Sequence, residues 1–430
     1  MPASPSLLIV PARFKTGKLY TQIATTSAGV VLGSSGDFNV TRATTATRVN
    51  ANGLIESVAS GIPRLDYYTS GGTAGCPALL VEPSAQNLAL QSEAFNTTWV
   101  RSGLNAFGSG SVANSTGTTD PFGGTNSDYI QETAASGTHI LIQTPAGQVS
   151  GTTVTLSCFA KSAERTQINF LNNGGGLGSA TFNLTAGTAT LVNGVSASIQ
   201  NYGNGWYRCI LTYTPGLSGN FNVQIRLADA SGNTSYTGTG TSGLYVFGAQ
   251  LEVGSVATSY IPTTAAAVTR NADVVTLSGA VSGCIGQTEG TIYAEVDMRN
   301  AISRVASILQ LRQDGNNQIT VGITTAFGGT NTIAARAQQA GSFVIGFHQQ
   351  NNAAGIYKIA FAYKSTDCKL YINGTDTGVT IATNNAFTAF SFNEIQLGMN
   401  NSANHFNDRI RSAALYTTRL TDLELAALTT

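Results

Sequence analysis

With 430 residues the chain is too long for one ordinary core, so two or three domains are expected. Charged residues are only 10% of the sequence, against a globular norm of about 25%. The 22 basic residues balance 22 acidic ones, and 42% of residues are hydrophobic. That balance excludes a disordered chain, which needs high net charge and few apolar residues. It also excludes a nucleic-acid binder, since no run of cations could meet phosphates, and no apolar stretch is long enough to insert into a membrane.

Residues 1–85 are the least regular part. SLLIV reads as a short buried strand, KLYTQIAT as another and Phe38–Thr41 as a third. In VTRATTATRVNANGLIESV an Asn52-Gly53 pair separates two strand-like halves, a strong hairpin signal. The opening MPASPSLLIVPARF has too short an apolar run before Pro11 for a signal-peptide core. Synthesis in a cytoplasm without export is therefore expected.

Residues 86–272 carry short alternating runs bounded by turns, the pattern of a jelly-roll sandwich. VTLSCFAKSAERTQINFLN, ATFNLTAGTATLV, GNGWYRCILTYTP, FNVQIRLAD and GTSGLYVFGAQLEV supply its strands. In the first of these, Ile168 and Phe170 point in while Gln167 and Asn169 point out. Leu244–Val275 closes the domain as a strand around Gly248, loses periodicity through Gly254–Thr264, and resumes as an apolar run at Val274–Leu277. This reads as a last strand and a hinge.

Residues 273–430 again read as strands and hairpins, through GTIYAEVDMR, VASILQLRQDGNNQITVGITT, YKIAFAYKSTDCKLYINGTDTGV and FNEIQLGMN. Asp314-Gly315 and Asn373-Gly374 sit where two-residue turns belong. The one convincing helix is terminal, with Thr421 as N-cap, Glu424 at N3 and an apolar i, i+3, i+4 set. The fold class is thus all-β: an N-terminal segment (1–85), a jelly roll (86–272) and a second sandwich (273–430) ending in a short helix.

The wording FGAQLEVGSVATSYIPT followed by VTRNAD closely resembles a block of bacteriophage tail and other virion proteins, where it closes a jelly roll similar to carbohydrate-binding modules. VTRA, VNANGLIE, IPRLDY and CPALLVEP resemble the leader of the same proteins, matched here by Arg42, Arg48, Gly53, Pro63, Arg64, Asp66, Tyr67, Cys76, Pro77, Glu82 and Pro83. The resemblance implies a leader used for attachment to other virion proteins or for wrapping between chains. An extra layer packed on the jelly roll is an equal alternative. KLYINGTDTG and DRIRSAALYTTRLTDLELAAL are similar to a concanavalin A-like, laminin G-like sandwich, a fold shared by lectins, enzymes and structural domains.

Catalysis finds little support in the residues. His139, His348 and His405 stand in no nucleophile motif. Glu295 and Asp297 share a strand face but read as partners of Arg299 and Arg304. Cys76, Cys158, Cys209, Cys284 and Cys368 have no C-x-x-C spacing, so free, mostly buried thiols are expected. Sugar binding needs exposed rings over apolar sugar faces with amides beside them. Trp99, Tyr202, Trp206, Tyr207 and Tyr236 are the ring candidates, and Gln167, Asn169, Asn172 and Asn201 the amides, although core packing is the commoner fate of such a tryptophan. In the last domain Phe343, Phe347, His348, Gln349, Asn351, Asn400 and Asn404 are placed on loops fit for ligand contact. Carbohydrate-binding jelly rolls often hold a structural calcium ion (Ca2+), and the resemblance implies Glu93, Asp128 and Glu252 as its ligands, with no other cofactor required.

The reading that follows is a non-enzymatic phage virion protein on the tail or capsid surface, acting as a tail-fibre or receptor-binding adhesin for a host surface glycan. A head or tail decoration protein is the alternative, and a glycan depolymerase tailspike a third. Exposed sheet edges favour a homo-oligomer, with a trimer in keeping with fibres.

Overall fold

The computed structural model describes residues 4–23, 37–173, 178–299, 304–325, 332–349, 353–378, 386–401 and 403–430, apart from the side chains of Ala280 and Ser282. The described residues are almost entirely strand and turn, with one α-helix, Asp422–Thr429, closing the chain. Its capping box is the expected one: Thr421 accepts from the Glu424 backbone N–H while the Glu424 carboxylate accepts from Thr421.

The jelly roll packs a five-stranded sheet on a six-stranded one. The first runs in the order Asp128–Gln131, Gly243–Val253, Val154–Ser162, Trp206–Tyr213 and Ser196–Asn201. The second runs Val100–Ser102, Ile140–Gln143, Val223–Ala228, Gln167–Asn172, Gly178–Asn183 and Thr188–Asn193. Ile168 and Phe170 do point into the core, where Phe170 meets Phe182 with ring centroids 5.0 Å apart. Cys158 and Cys209 are buried there as small hydrophobes, and all five cysteines are free, with Cys76 exposed.

The second sandwich packs two nine-stranded sheets. One of its two-residue turns is the expected one, with Asn373 at φ 48° and Gly374 at φ 80° between Lys369–Ile372 and Thr375–Asp376. Two successive positive φ values define the type I′ turn that matches strand twist.

The described residues of the segment 1–85 are built into the second sandwich. Leu7–Ile9 pairs along Asp408–Tyr416, Ala78–Val81 pairs with the start of that same strand, and Phe38–Thr41 pairs with Val274–Ser278. Leu7, Ile9, Phe38 and Val81 are buried in the same core as Ile292 and Leu415. The segment thus completes both sheets of the second sandwich. Its hairpin, Ala46–Val49 with Ile55–Val58, leans on the jelly roll, where Ile55 packs with Phe159, Trp206, Phe247 and Tyr260, and Tyr68 meets Tyr202 there as well. The physical reason is that apolar strands with open edges gain more by pairing than by standing alone.

Candidate functional site

Five charged residues of the familiar motifs, Arg42, Arg64, Glu82, Arg270 and Asp273, meet at the junction of the two sandwiches. Arg64 Nη1 donates to Glu82 Oε2 at 2.6 Å and to Ser259 Oγ at 2.8 Å, and its Nη2 is bonded to Asp273. Arg42 Nη1 donates to Asp273 Oδ1 at 2.9 Å, and Arg270 Nη1 to Glu82 Oε2 at 2.7 Å. All five charged groups are buried. Burial alone would raise the Glu82 pKa, but Arg270 and Arg64 outweigh it and hold the carboxyl well below its usual range. This cluster is a clamp in which three arginines hold two carboxylates.

A cleft of about 510 Å³ is lined among others by Tyr68, Gln200, Asp297, Arg299, Ile356 and Arg411. Its charged groups are likewise engaged. Asp297 pairs with Arg409, and Glu295 pairs with Arg411 at 2.7 Å. Arg299 and Arg304 instead turn to Asp408, so the expected Glu295/Asp297–Arg299/Arg304 pairing is replaced by arginines of the neighbouring strand.

The expected ring platforms divide by burial. Trp99 is 3% exposed and Trp206 1%. The Trp99 indole donates to the Leu90 carbonyl at 3.2 Å and that of Trp206 to the Thr119 carbonyl at 2.7 Å. Both are core residues. Tyr202 packs on Phe159 and Tyr68 at 4.9 and 5.0 Å, and Tyr207 lies half-buried against the jelly-roll core. Tyr236 gives its hydroxyl to Glu132 at 2.7 Å and lies 4.9 Å under the Arg165 guanidinium. None of the five is an open platform, because the leader and the neighbouring strands cover the faces that alternation leaves outside.

The three carboxylates suggested for calcium do not converge. Asp128 accepts from the Phe95 and Asn114 backbone N–H groups, each at 2.9 Å. Glu252 accepts from Thr258 and Gln250, while Glu93 accepts from the Tyr260 hydroxyl at 3.1 Å. Among the described residues no group of three acidic, histidine or cysteine side chains is placed to hold a metal. Burial pushes the Asp128 pKa up to about 6 against those two backbone bonds. Its folded pKa exceeds the unfolded one, so its contribution to stability is full below about pH 4 and is lost as pH rises through about 6. An Asn here would set its amide nitrogen against one of those two N–H groups, so we expect Asp128→Asn to lower the melting temperature, and to lower it less at pH 7 than at pH 5. Thermal melts at the two pH values test this, and an equal shift at both would contradict it.

Gln167 and Asn169 do lie together, on the outer face of the six-stranded sheet. The register Ile140–Arg226–Asn169–Thr181 sets four side chains in one row across adjacent strands, and Gln224 lies in the next row. Asn169 is only 3% exposed. Its Nδ2 donates to Thr181 Oγ1 at 3.0 Å and Ser179 Oγ at 3.3 Å, yet its buried Oδ1 has no partner. Arg226 directs Nε and Nη2 at the Gln224 Oε1, at 2.8 and 2.5 Å. Arg226 forms no ion pair within the described residues, and burial lowers its pKa. Gln167 is half-buried and spends its Nε2 on the Ala230 carbonyl. Thr181, Gln224 and Arg226 are additions to the expected set. Their signal is the alternation of VQIRLA, which puts Gln224 and Arg226 opposite the core residues Val223, Ile225 and Leu227.

No protein-family model and no curated protein matches the chain. Among solved structures it is similar to a carbohydrate-binding module of a Ruminococcus gnavus sialidase, solved with α2,6-sialyllactose, at 19% identity and TM-score 0.28, covering 34% of this chain and 85% of that one. Domain 4 of an extracellular arabinanase from Geobacillus stearothermophilus, solved with arabinotriose, matches at 14% identity and TM-score 0.30 over 41% of this chain and 82% of its own. A receptor-binding domain matches at 15% identity and TM-score 0.29, over 37% of this chain and 39% of that one.

In the second sandwich Phe343, Phe347 and His348 belong to the strand Ser342–Gln349 and not to a loop. Phe347 is core, whereas Phe343 is 60% exposed. His348 lies opposite Ala334, half-buried, and burial lowers its pKa. Asn400 closes a small bridge, its N–H donating to Ala403 O at 2.9 Å. Asn351 lies outside the described residues.

Proposed function

We propose that this chain is a non-enzymatic glycan-recognition protein of a bacteriophage particle, displayed on its tail or capsid surface as a homo-oligomer, and that the outer face of the jelly roll's six-stranded sheet meets the saccharide. One observation carries the reading: among the described residues Asn169 offers a buried acceptor without a partner, beside an arginine without a counter-ion. Buried polar groups are normally satisfied within a protein, so an unmet acceptor on an outer sheet face fits a ligand that brings its own hydroxyls. The virion setting rests on the likeness of FGAQLEVGSVATSYIPT and VTRNAD to phage proteins. The non-enzymatic character is supported by the pairing of Glu295 and Asp297 with arginines. Several copies on one particle would raise weak single-site binding by about 10²–10⁴ in avidity.

A glycan array probed with the full chain, followed by titration calorimetry on the strongest hit, tests the reading. Asn169→Ala is expected to weaken that hit about tenfold, the worth of one hydrogen bond near 1.4 kcal/mol, in a protein that still melts cooperatively well above the temperature of the titration. Silence across bacterial polysaccharides would instead favour a decoration protein.

A further inference from the structure

The second sandwich has an outer sheet face of its own, unrelated to the jelly-roll site. Register places Gln396, Gln310, Thr320 and Arg336 in one row, and Glu394, Arg312, Gln318, Gln338 and Phe343 in the next. The facing residues Leu311, Ile319, Ala337 and Ile345 are core, so both rows turn outward.

Two groups on this face are left unmatched. Arg336 is half-buried, and burial lowers its pKa. Its guanidinium lies 5.8 Å from the exposed Phe343 ring. No ion pair joins it to a described carboxylate, for Glu394 is already held by Arg312 at 2.8 Å. The second group belongs to an amide chain. Gln310 bonds through Nε2 to Gln318, Gln318 donates to Gln338 Oε1 at 3.0 Å, and Gln338 donates to the Gly341 carbonyl at 2.8 Å. The chain of bonds runs from Gln310 toward the Gly341 turn, and Gln310 Nε2 reaches Thr320 Oγ1 at 3.4 Å as well. Gln310, fully buried, keeps an Oε1 with no partner.

We propose that this face is a second binding site, for a carboxylate-bearing saccharide such as a uronic-acid oligomer, with Arg336 meeting the carboxylate, Phe343 stacking on an apolar sugar face and the glutamine chain receiving hydroxyls. A half-buried guanidinium lacking a counter-ion is complementary to an anion. An open ring beside it suits a pyranose, which has a flat C–H face. Phosphate or sulfate alone would use the arginine but neither the ring nor the amides.

The probe is a tetramer of galacturonic acid, compared with neutral galactotetraose, titrated into the full chain. The acidic tetramer is expected to bind at least about tenfold more tightly, the scale of one charge-assisted contact, and more weakly as salt rises. Arg336→Gln should erase that preference, and Phe343→Ala should weaken both tetramers. Asn169→Ala, on the jelly roll, should leave the preference intact. Equal binding of the two tetramers, loss of the preference in Asn169→Ala, or no binding of the acidic tetramer at 10-millimolar scale would each overturn the site. Because Phe343 is mostly exposed, its variant keeps the test open should Arg336→Gln fold poorly.

Discussion

Arg64→Ala is expected to cost about 3–5 kcal/mol, because removing one member of a buried ion cluster strands its partners in a dry interior. The guanidinium it removes touches Glu82, Asp273 and Ser259 together. Glu82 and Asp273 would then face only Arg270 and Arg42, which carry their own desolvation cost. The loss should fall on the junction first. Glu82 follows the strand that pairs with Asp408–Tyr416, Asp273 precedes Val274–Ser278, and Ser259 belongs to the jelly roll. Differential scanning calorimetry is therefore expected to show the two sandwiches melting as separate transitions in the variant, with limited proteolysis cutting near 255–272. A single transition at the wild-type temperature would show that the cluster contributes nothing to the docking.

The charge balance also fixes the sign of the acid response. Glu82 and Asp273 are held below their ordinary pKa values. Their contribution is present above the unfolded carboxylate pKa of about 4 and is lost as pH falls through the depressed folded values. Acid should open the junction at strongly acidic pH, far below the pH 5–7 range governed by Asp128.

How much of this could be read in advance depends on the range of the interaction. The alternation of Ile168 and Phe170, the Asn373-Gly374 turn and the Thr421–Glu424 capping box are set by residues a few positions apart, and each appears as expected. Arg64 and Asp273 are 209 positions apart, and no local periodicity reports their contact. The motif words were visible, but not that four of them meet in one cluster. Alternation also tells which side of a strand a residue takes and not what covers that side. Trp206 does turn away from the jelly-roll core, on the same side as Phe159, as its position beside Tyr207 requires. It is buried all the same, because the hairpin bearing Ile55 closes over it. Asn169 is hardly more exposed than Trp206, and what sets it apart is a buried acceptor with no partner among the described residues.

Trp206→Ala separates those two roles with the second large effect. The ring is 1% exposed, packed among Ile55, Phe159, Phe247 and Tyr260, and its indole N–H satisfies the Thr119 carbonyl. Truncation leaves a cavity and an orphaned acceptor, at a cost of about 3–5 kcal/mol. Because the cluster lies between the leader hairpin and the five-stranded sheet, the damage lies on the opposite side of the jelly roll from Asn169 and Arg226. Chemical denaturation should show the full loss, while saccharide affinity measured well below the melting temperature should stay within about twofold of wild type, since sites without shared partners are energetically independent. A Trp206→Ala protein of normal stability that no longer bound saccharide would reverse the assignment, returning the ring to the ligand and removing it from the core.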